Sequence, residues 1–167
     1  MDDDRIIRTR FIIALLGETK VGKTSIMDGR QGYGINESIL QTIGIDFSDD
    51  NIILDGTNYK IKIYDTPGAE RYKSYSRPII KNSDGLIIVF SVDDRKSFEL
   101  ANDDWFRFIK EEIIDIEKKV IYLVANKIDL EKREVKREEA EEYAKNNKMK
   151  YFEISAKKGI GFKEIFI

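Results

Sequence analysis

The segment GETKVGKT, from Gly17 to Thr24, has the spacing of GxxxxGK followed by Ser or Thr, between an apolar run and a helix-forming one. Backbone amides in such a loop can wrap phosphate oxygens, and the start of the following helix adds the positive end of its dipole. Gly17, Thr19, Lys20, Val21 and Gly22 would form the cradle, with Ser25 just beyond it. Lys23 would reach the outer phosphates and Thr24 would offer a hydroxyl to Mg²⁺. Alone, this segment specifies a nucleoside phosphate and leaves ATP and GTP equally open.

A second segment, NKID from Asn126 to Asp129, bears on the base. The Asp129 carboxylate can accept two adjacent N–H donors, which guanine presents through N1–H and its exocyclic amine and adenine does not. A helix-capping Asp in a loop is the competing reading. The phosphate loop far upstream and SAK, Ser155 to Lys157 with Ala156 between, weigh against it. A third segment, DTPG from Asp65 to Gly68, puts another carboxylate after a strand. Asp65 can hold Mg²⁺ through a water, and the Gly68 amide can meet a terminal phosphate.

These segments need elements that bring them together. FIIALLG from Phe11, LIIVFSV from Leu86 and VIYLVAN from Val120 are continuous apolar runs, as expected of strands buried on both faces, and YFEIS from Tyr151 is a shorter one. Gly44–Leu54 and Asn58–Asp65 read as two further strands, made antiparallel by the Asp55-Gly56 turn. Helical stretches separate the others, so the expected fold is α/β, a six-stranded and mostly parallel sheet with one antiparallel pair and helices on both faces. A helix over 96–116 would bury Phe98, Ala101, Trp105, Ile109 and Ile113. The charged stretch 131–150 would present Val135, Ala140, Tyr143 and Ala144 on one helical face and a solvated surface elsewhere.

Composition narrows the chemistry. The 167 residues contain no Cys and no His, which excludes zinc fingers, disulfides and thiol or imidazole catalysis, so any metal must be bound by oxygen. With 29 Lys and Arg against 31 Asp and Glu, the charge of −2 gives no support to nucleic-acid binding. The acidic start, with Asp2, Asp3 and Asp4, does not suit a secretory signal, and a cytoplasmic protein is expected. Residues 1–9 read as an N-terminal extension and 10–167 as one domain whose last helix looks cut short. A monomer is expected.

Taken in order, these segments resemble a small GTPase of the Ras superfamily, with the P-loop NTPase fold of its G domain, and most of all the Rab branch. GETKVGKT is similar to the phosphate loop, TIGIDF (Thr42 to Phe47) to the first switch and DTPGAERY to the second. NKID is similar to the guanine reader, with Asn126, Lys127 and Asp129, and EISAK (Glu153 to Lys157) to the loop behind it. The Rab branch is suggested by IGIDF, KIKIYDTPGAE, RYKSYS and the 19-residue step from Lys23 to Thr42. The resemblance implies a GTP/GDP switch with Mg²⁺, acting in vesicle traffic with effectors, exchange factors and activating proteins. It implies that Thr42 ligates Mg²⁺ and Gly68 bonds the γ-phosphate in the GTP state, with Lys23, Thr42 and Gly68 serving hydrolysis. It also implies that Phe47 and Tyr64 face effectors, core packing being the alternative for each.

Several positions depart from that pattern. Ala69 stands where the family usually has the Gln that orients the attacking water, so intrinsic hydrolysis should be slow. An introduced substitution is the competing explanation, and a scaffold without useful turnover is the alternative function. Pro67 removes an amide and stiffens the second switch. Lys20 is unusual in its loop and is expected to point to solvent. Ile35 occupies the place of an aromatic that packs on guanine, so either Tyr33 replaces that contact or exchange is fast. The family's prenylated Cys-bearing tail is absent from the sequence, so no membrane anchor is expected in this chain, though a lipidated tail in the native gene would bring it to the cytosolic face of endomembranes.

Overall fold

A computed structural model describes residues 9–30, 44–68 and 70–166. Its strands are β1 (Arg10–Leu16), β2 (Asp46–Leu54), β3 (Thr57–Asp65), β4 (Gly85–Ser91), β5 (Val120–Asn126) and β6 (Lys150–Glu153). Its α-helices are α1 (Lys23–Arg30), α2 (Arg77–Asn82), α3 (Arg95–Leu100), α4 (Arg107–Glu112), α5 (Arg137–Asn146) and α6 (Phe162–Phe166). The strands form one sheet in the order β2-β3-β1-β4-β5-β6, in which only the β2–β3 pair is antiparallel.

Alternation along each strand divides the apolar residues between two layers. Leu86, Ile88 and Phe90 of β4 face the layer built with Phe98, Trp105, Ile109, Ala140 and Ala144. Ile87 and Val89 face the other, with Ile26 and Met27 of α1 and Ile165 and Phe166 of α6. Both faces are therefore covered by helices, and β1, β4 and β5 need apolar residues at nearly every position.

Register positions the site. Leu15 of β1 lies beside Asp65 of β3, Ser91 of β4 beside Asn126 of β5, and Ala125 of β5 beside Glu153 of β6. The loops after β1, β3, β5 and β6, which carry the four candidate segments, therefore leave the sheet at its common carboxyl rim.

Three expectations need correction. The helix expected over 96–116 is α3 and α4 joined by a π-helical turn, Ala101–Phe106, and it ends at Glu112. Ile113 turns extended, with φ −116° and ψ 116°, because the β-branched pair Ile113-Ile114 favours helix weakly while Ile113 still gains burial. The helix in the charged stretch is only α5, and Val135 precedes it. Val135 is fully buried because the backbone N–H groups of Glu134 and Val135 both donate to the Val92 carbonyl, which draws the chain across the end of β4. β2 starts at Asp46, two residues later than expected, and β3 starts one residue earlier, at Thr57.

Candidate functional site

The loop between β1 and α1 is shaped by two glycines in the left-handed region, Gly17 at φ 134° and Gly22 at φ 101°. A Cβ on Gly17 would stand 2.2 Å from the Val89 carbonyl oxygen, and one on Gly22 2.2 Å from Asn126 Nδ2. Between them Lys20 takes φ 64° and is exposed, as the sequence suggested. Thr19 and Ser25 are half-buried and Val21 is buried.

Lys23 lies inside this loop with only 6% of its surface exposed. Its Nζ donates to the carbonyls of Gly17 at 2.8 Å and Glu18 at 2.7 Å. Burial lowers its pKa to about 8, against the opposing pull of the Asp65 and Glu18 carboxylates. Such an ammonium, fixed among backbone dipoles, suits an anionic group that would stabilise its charge.

The Thr24 hydroxyl donates to Asp65 Oδ2 in a short hydrogen bond, and Asp65 is fully buried at the end of β3. Among the described residues no cluster of three or more acidic side chains forms a metal site. A hydroxyl beside a carboxylate, both hard oxygen donors, fits a Mg²⁺ that takes its remaining ligands from water and phosphate. The next residue, Thr66, donates its hydroxyl to the Leu15 carbonyl at 2.7 Å and ties this segment to β1. Gly68 then approaches the phosphate loop so closely that a Cβ would lie 2.5 Å from Thr19 N. Pro67, between them, is buried.

Asn126, at the end of β5, joins two of the loops. Its Nδ2 donates to the Val21 carbonyl at 2.9 Å, and its Oδ1 accepts from the Ala156 amide at 3.0 Å. Asp129 Oδ1 accepts from the Ser155 hydroxyl at 2.5 Å, and Ser155 Oγ accepts from the Lys158 amide at 3.0 Å. Lys127 adopts φ 67°, turning the chain so that half-buried Asp129 comes to Ser155. Ala156 is buried and Lys157 exposed. A guanine reader needs a carboxylate held by a neighbour and open on one side, and this arrangement meets that need.

Thr42, Ile35, Tyr33 and Ala69 lie outside the described residues. Phe47 is 51% exposed and stands directly across from half-buried Tyr64, their rings 5.9 Å apart with Lys62 Nζ 4.3 Å above Phe47. For Phe47 the core alternative therefore fails.

Sequence reading missed Glu18 and Trp105. Trp105 Nε1 donates to Glu18 Oε1 at 3.0 Å, yet the residues are 87 positions apart, and the indole was assigned only to the core. The available signals were that Trp105 is the chain's single tryptophan and that an acid stands in a loop meant for anions.

An apolar cavity of about 840 Å³ lies elsewhere, lined by Phe11, Ile61, Tyr122 and Phe166 among others, and none of the candidate residues borders it. The site is the rim.

A profile of the Ras family matches residues 12–167. The chain belongs to the Ras family. This small GTPase is 35% identical over 158 residues to Ras-related protein Rab-13 of Rattus norvegicus, covering 93% of this chain and 76% of the relative. It is 38% identical over 179 residues to Ras-related protein RabO of Dictyostelium discoideum, covering 99% and 79%. Ras-related protein Rab-7b of Mus musculus is 37% identical over 155 residues, covering 92% and 77%. The chain is thus a Rab-like small GTPase, and Ras-family members bind guanine nucleotide with Mg²⁺, hydrolyse GTP and are served by effectors and regulators. Among the described residues of this GTPase no helix is long and apolar enough to cross a membrane.

Proposed function

We propose that this chain is a GTP/GDP switch in vesicle traffic at cytosolic membrane faces, with slow intrinsic hydrolysis that depends on an activating partner. The observation that carries this reading is the convergence on one rim of buried Lys23, the Thr24–Asp65 pair, Gly68, and Asp129 held by Ser155. In this reading Gly17, Thr19, Lys20, Val21, Gly22, Lys23, Thr24 and Ser25 bind the phosphates, and Asn126, Lys127, Asp129, Ser155, Ala156 and Lys157 hold the base. Lys23 leaves its carbonyl acceptors for phosphate oxygens and offsets their charge as the γ-phosphoryl group departs. Asp129 orients the base through its carboxylate, and the Ser155 hydroxyl fixes that carboxylate. Thr24, Thr42 and, through water, Asp65 would hold Mg²⁺, which neutralises charge on the outer phosphates when bound.

Gly68 would donate its amide to the γ-phosphate, and its lack of a Cβ supports that approach. By resemblance, Ile35 or Tyr33 lies against guanine. Exposed Phe47, its ring against half-buried Tyr64, supports an effector surface there. Ala69 has no hydrogen-bonding side chain with which to orient water, and this supports slow turnover.

A single-turnover time course of GTP and GDP, on protein loaded with GTP and Mg²⁺, tests the reading beside Ala69→Gln. The expected result is persistence of GTP in the parent protein and faster turnover in the variant. Equal, rapid hydrolysis by both would mean that another group positions the water. Persistence in both would favour a nucleotide-bound scaffold instead.

A further inference from the structure

Glu18 meets three parts of the site at once. Its carbonyl accepts from Lys23 Nζ at 2.7 Å, and its backbone carbon lies 2.5 Å from where a Cβ on Gly68 would stand. Its carboxylate accepts from the indole N–H of Trp105 at 3.0 Å. A carboxylate in a loop built for phosphates repels them unless it is held aside. The indole N–H, donating from a fully buried ring, is the group that holds it.

The face of that ring carries a cation. Lys73, in the 3₁₀ stretch Glu70–Ser76 that begins inside the second switch and runs past it, is only 8% exposed, and its Nζ lies 4.6 Å from the centre of the indole and 5.6 Å from that of Phe108. It also pairs closely with Asp104, the residue before Trp105. Both Asp104 and Trp105 sit in the π-helical turn Ala101–Phe106, where the wider helical repeat departs from the spacing of the flanking α-helices.

We propose that Trp105 is a positioning residue for the phosphate loop, acting through the Glu18 carboxylate, and that Lys73 links it to the second switch. A continuous set of contacts runs from the loop to the indole to the switch ammonium, with Asp104 closing it. Movement of the second switch changes the cation on the indole face, and the indole edge transmits the change to Glu18, whose carbonyl shares Lys23. The inference rests on the guanine-nucleotide reading above.

The full chain, with GDP dissociation followed by a fluorescent GDP analogue, provides the test. Trp105→Phe keeps an aromatic ring beneath Lys73 and loses the N–H, so GDP should leave about tenfold faster, the scale of one hydrogen bond to a charged acceptor. Glu18→Ala and Glu18→Gln leave no carboxylate to repel the phosphates and should retain slow release, and Glu18→Ala combined with Trp105→Phe should return release to within about twofold of the parent's rate. A residue that merely fills the core would lower thermal stability without this non-additivity. Additive rates, or a Trp105→Phe rate within about twofold of the parent's, overturn the proposal.

Tryptophan emission tests the Lys73 arm, because the sequence contains only Trp105 to report. Emission should differ between GDP and a non-hydrolysable GTP analogue in the parent and not in Lys73→Met. Equal emission in the parent, or a difference that survives Lys73→Met, overturns that arm. If the parent binds no guanine nucleotide, the functional reading fails and this inference with it. Binding with unchanged variants defeats the inference alone.

Discussion

Lys23 is held at a proton-binding threshold. Burial lowers its pKa from the ordinary 10.5 to about 8, so between these values the unfolded chain binds more protons at this residue than the nucleotide-free fold does. Its contribution to stability is therefore complete above the ordinary value and is lost as pH falls through about 8, where the buried ammonium must form. Phosphates favour the ammonium and move the pKa back up. Nucleotide binding should then take up protons above pH of about 8, and affinity should decline as pH rises past that point. Calorimetry near pH 9, in two buffers of different ionisation heat, should show net uptake in the parent and none in Lys23→Met. Equal, zero uptake in both would remove the argument.

Gly68 carries a second prediction at this scale. Adding a methyl group would collide with Thr19 N at 2.5 Å and with Glu18, both backbone, so the second switch must withdraw. Because the Gly68 amide is assigned to the γ-phosphate alone, Gly68→Ala should weaken GTP by about tenfold, or 1.4 kcal/mol, more than GDP. Parallel titrations with the two nucleotides check this, and an equal loss for both would reject the assignment.

Among the elements, α3 is short and depends on its first turn. Asp94 caps it, its side chain accepting from the Ser97 amide at 3.1 Å. Asp94→Ala should cost about 1 kcal/mol and lower Tm by about 2–4 °C in thermal unfolding, with nucleotide affinity little changed. Arg95, the next residue, reaches Glu139 of α5 with paired bonds of 2.7 and 2.5 Å and fastens these two helices across the surface.

Elements also set the limit on what sequence could reveal. The segments GETKVGKT, DTPG, NKID and SAK were legible because each is short and continuous, and the sheet brings all four to one rim. The strands were legible because burial on both faces leaves apolar runs. The π-helical turn was not, since its apolar positions, Ala101, Trp105 and Phe106, also suit an ordinary helix. The Glu18–Trp105 bond was not, because among the described residues three α-helices and three strands separate its ends in the chain. Phe47 could have faced either way on a two-stranded edge, and only its exposure in the folded sheet decides it.

For the whole molecule, bound nucleotide acts on the folding equilibrium. The candidate ligands come from loops after four strands, and the unfolded chain has no equivalent of that rim. Nucleotide at a hundred times its Kd should stabilise the fold by about 2.7 kcal/mol. For a chain of this length, that raises Tm by about 5–10 °C. Thermal scans with GDP and Mg²⁺ should show the rise, while ADP at the same concentration should not; equal shifts would contradict base selection by Asp129.

The bridge made by Asn126 also bears on how the protein is born. Its amide ties the Val21 carbonyl to the Ala156 amide, contacts 105 and 30 positions away along the chain. A ribosome adding about 5–20 residues each second releases the phosphate loop many seconds before that brace exists. Over that interval the emerging polypeptide carries a loop of the right sequence and no receptor. The receptor is completed only when Ala156 clears the exit tunnel, so a nucleotide that needs all four loops finds no site before then.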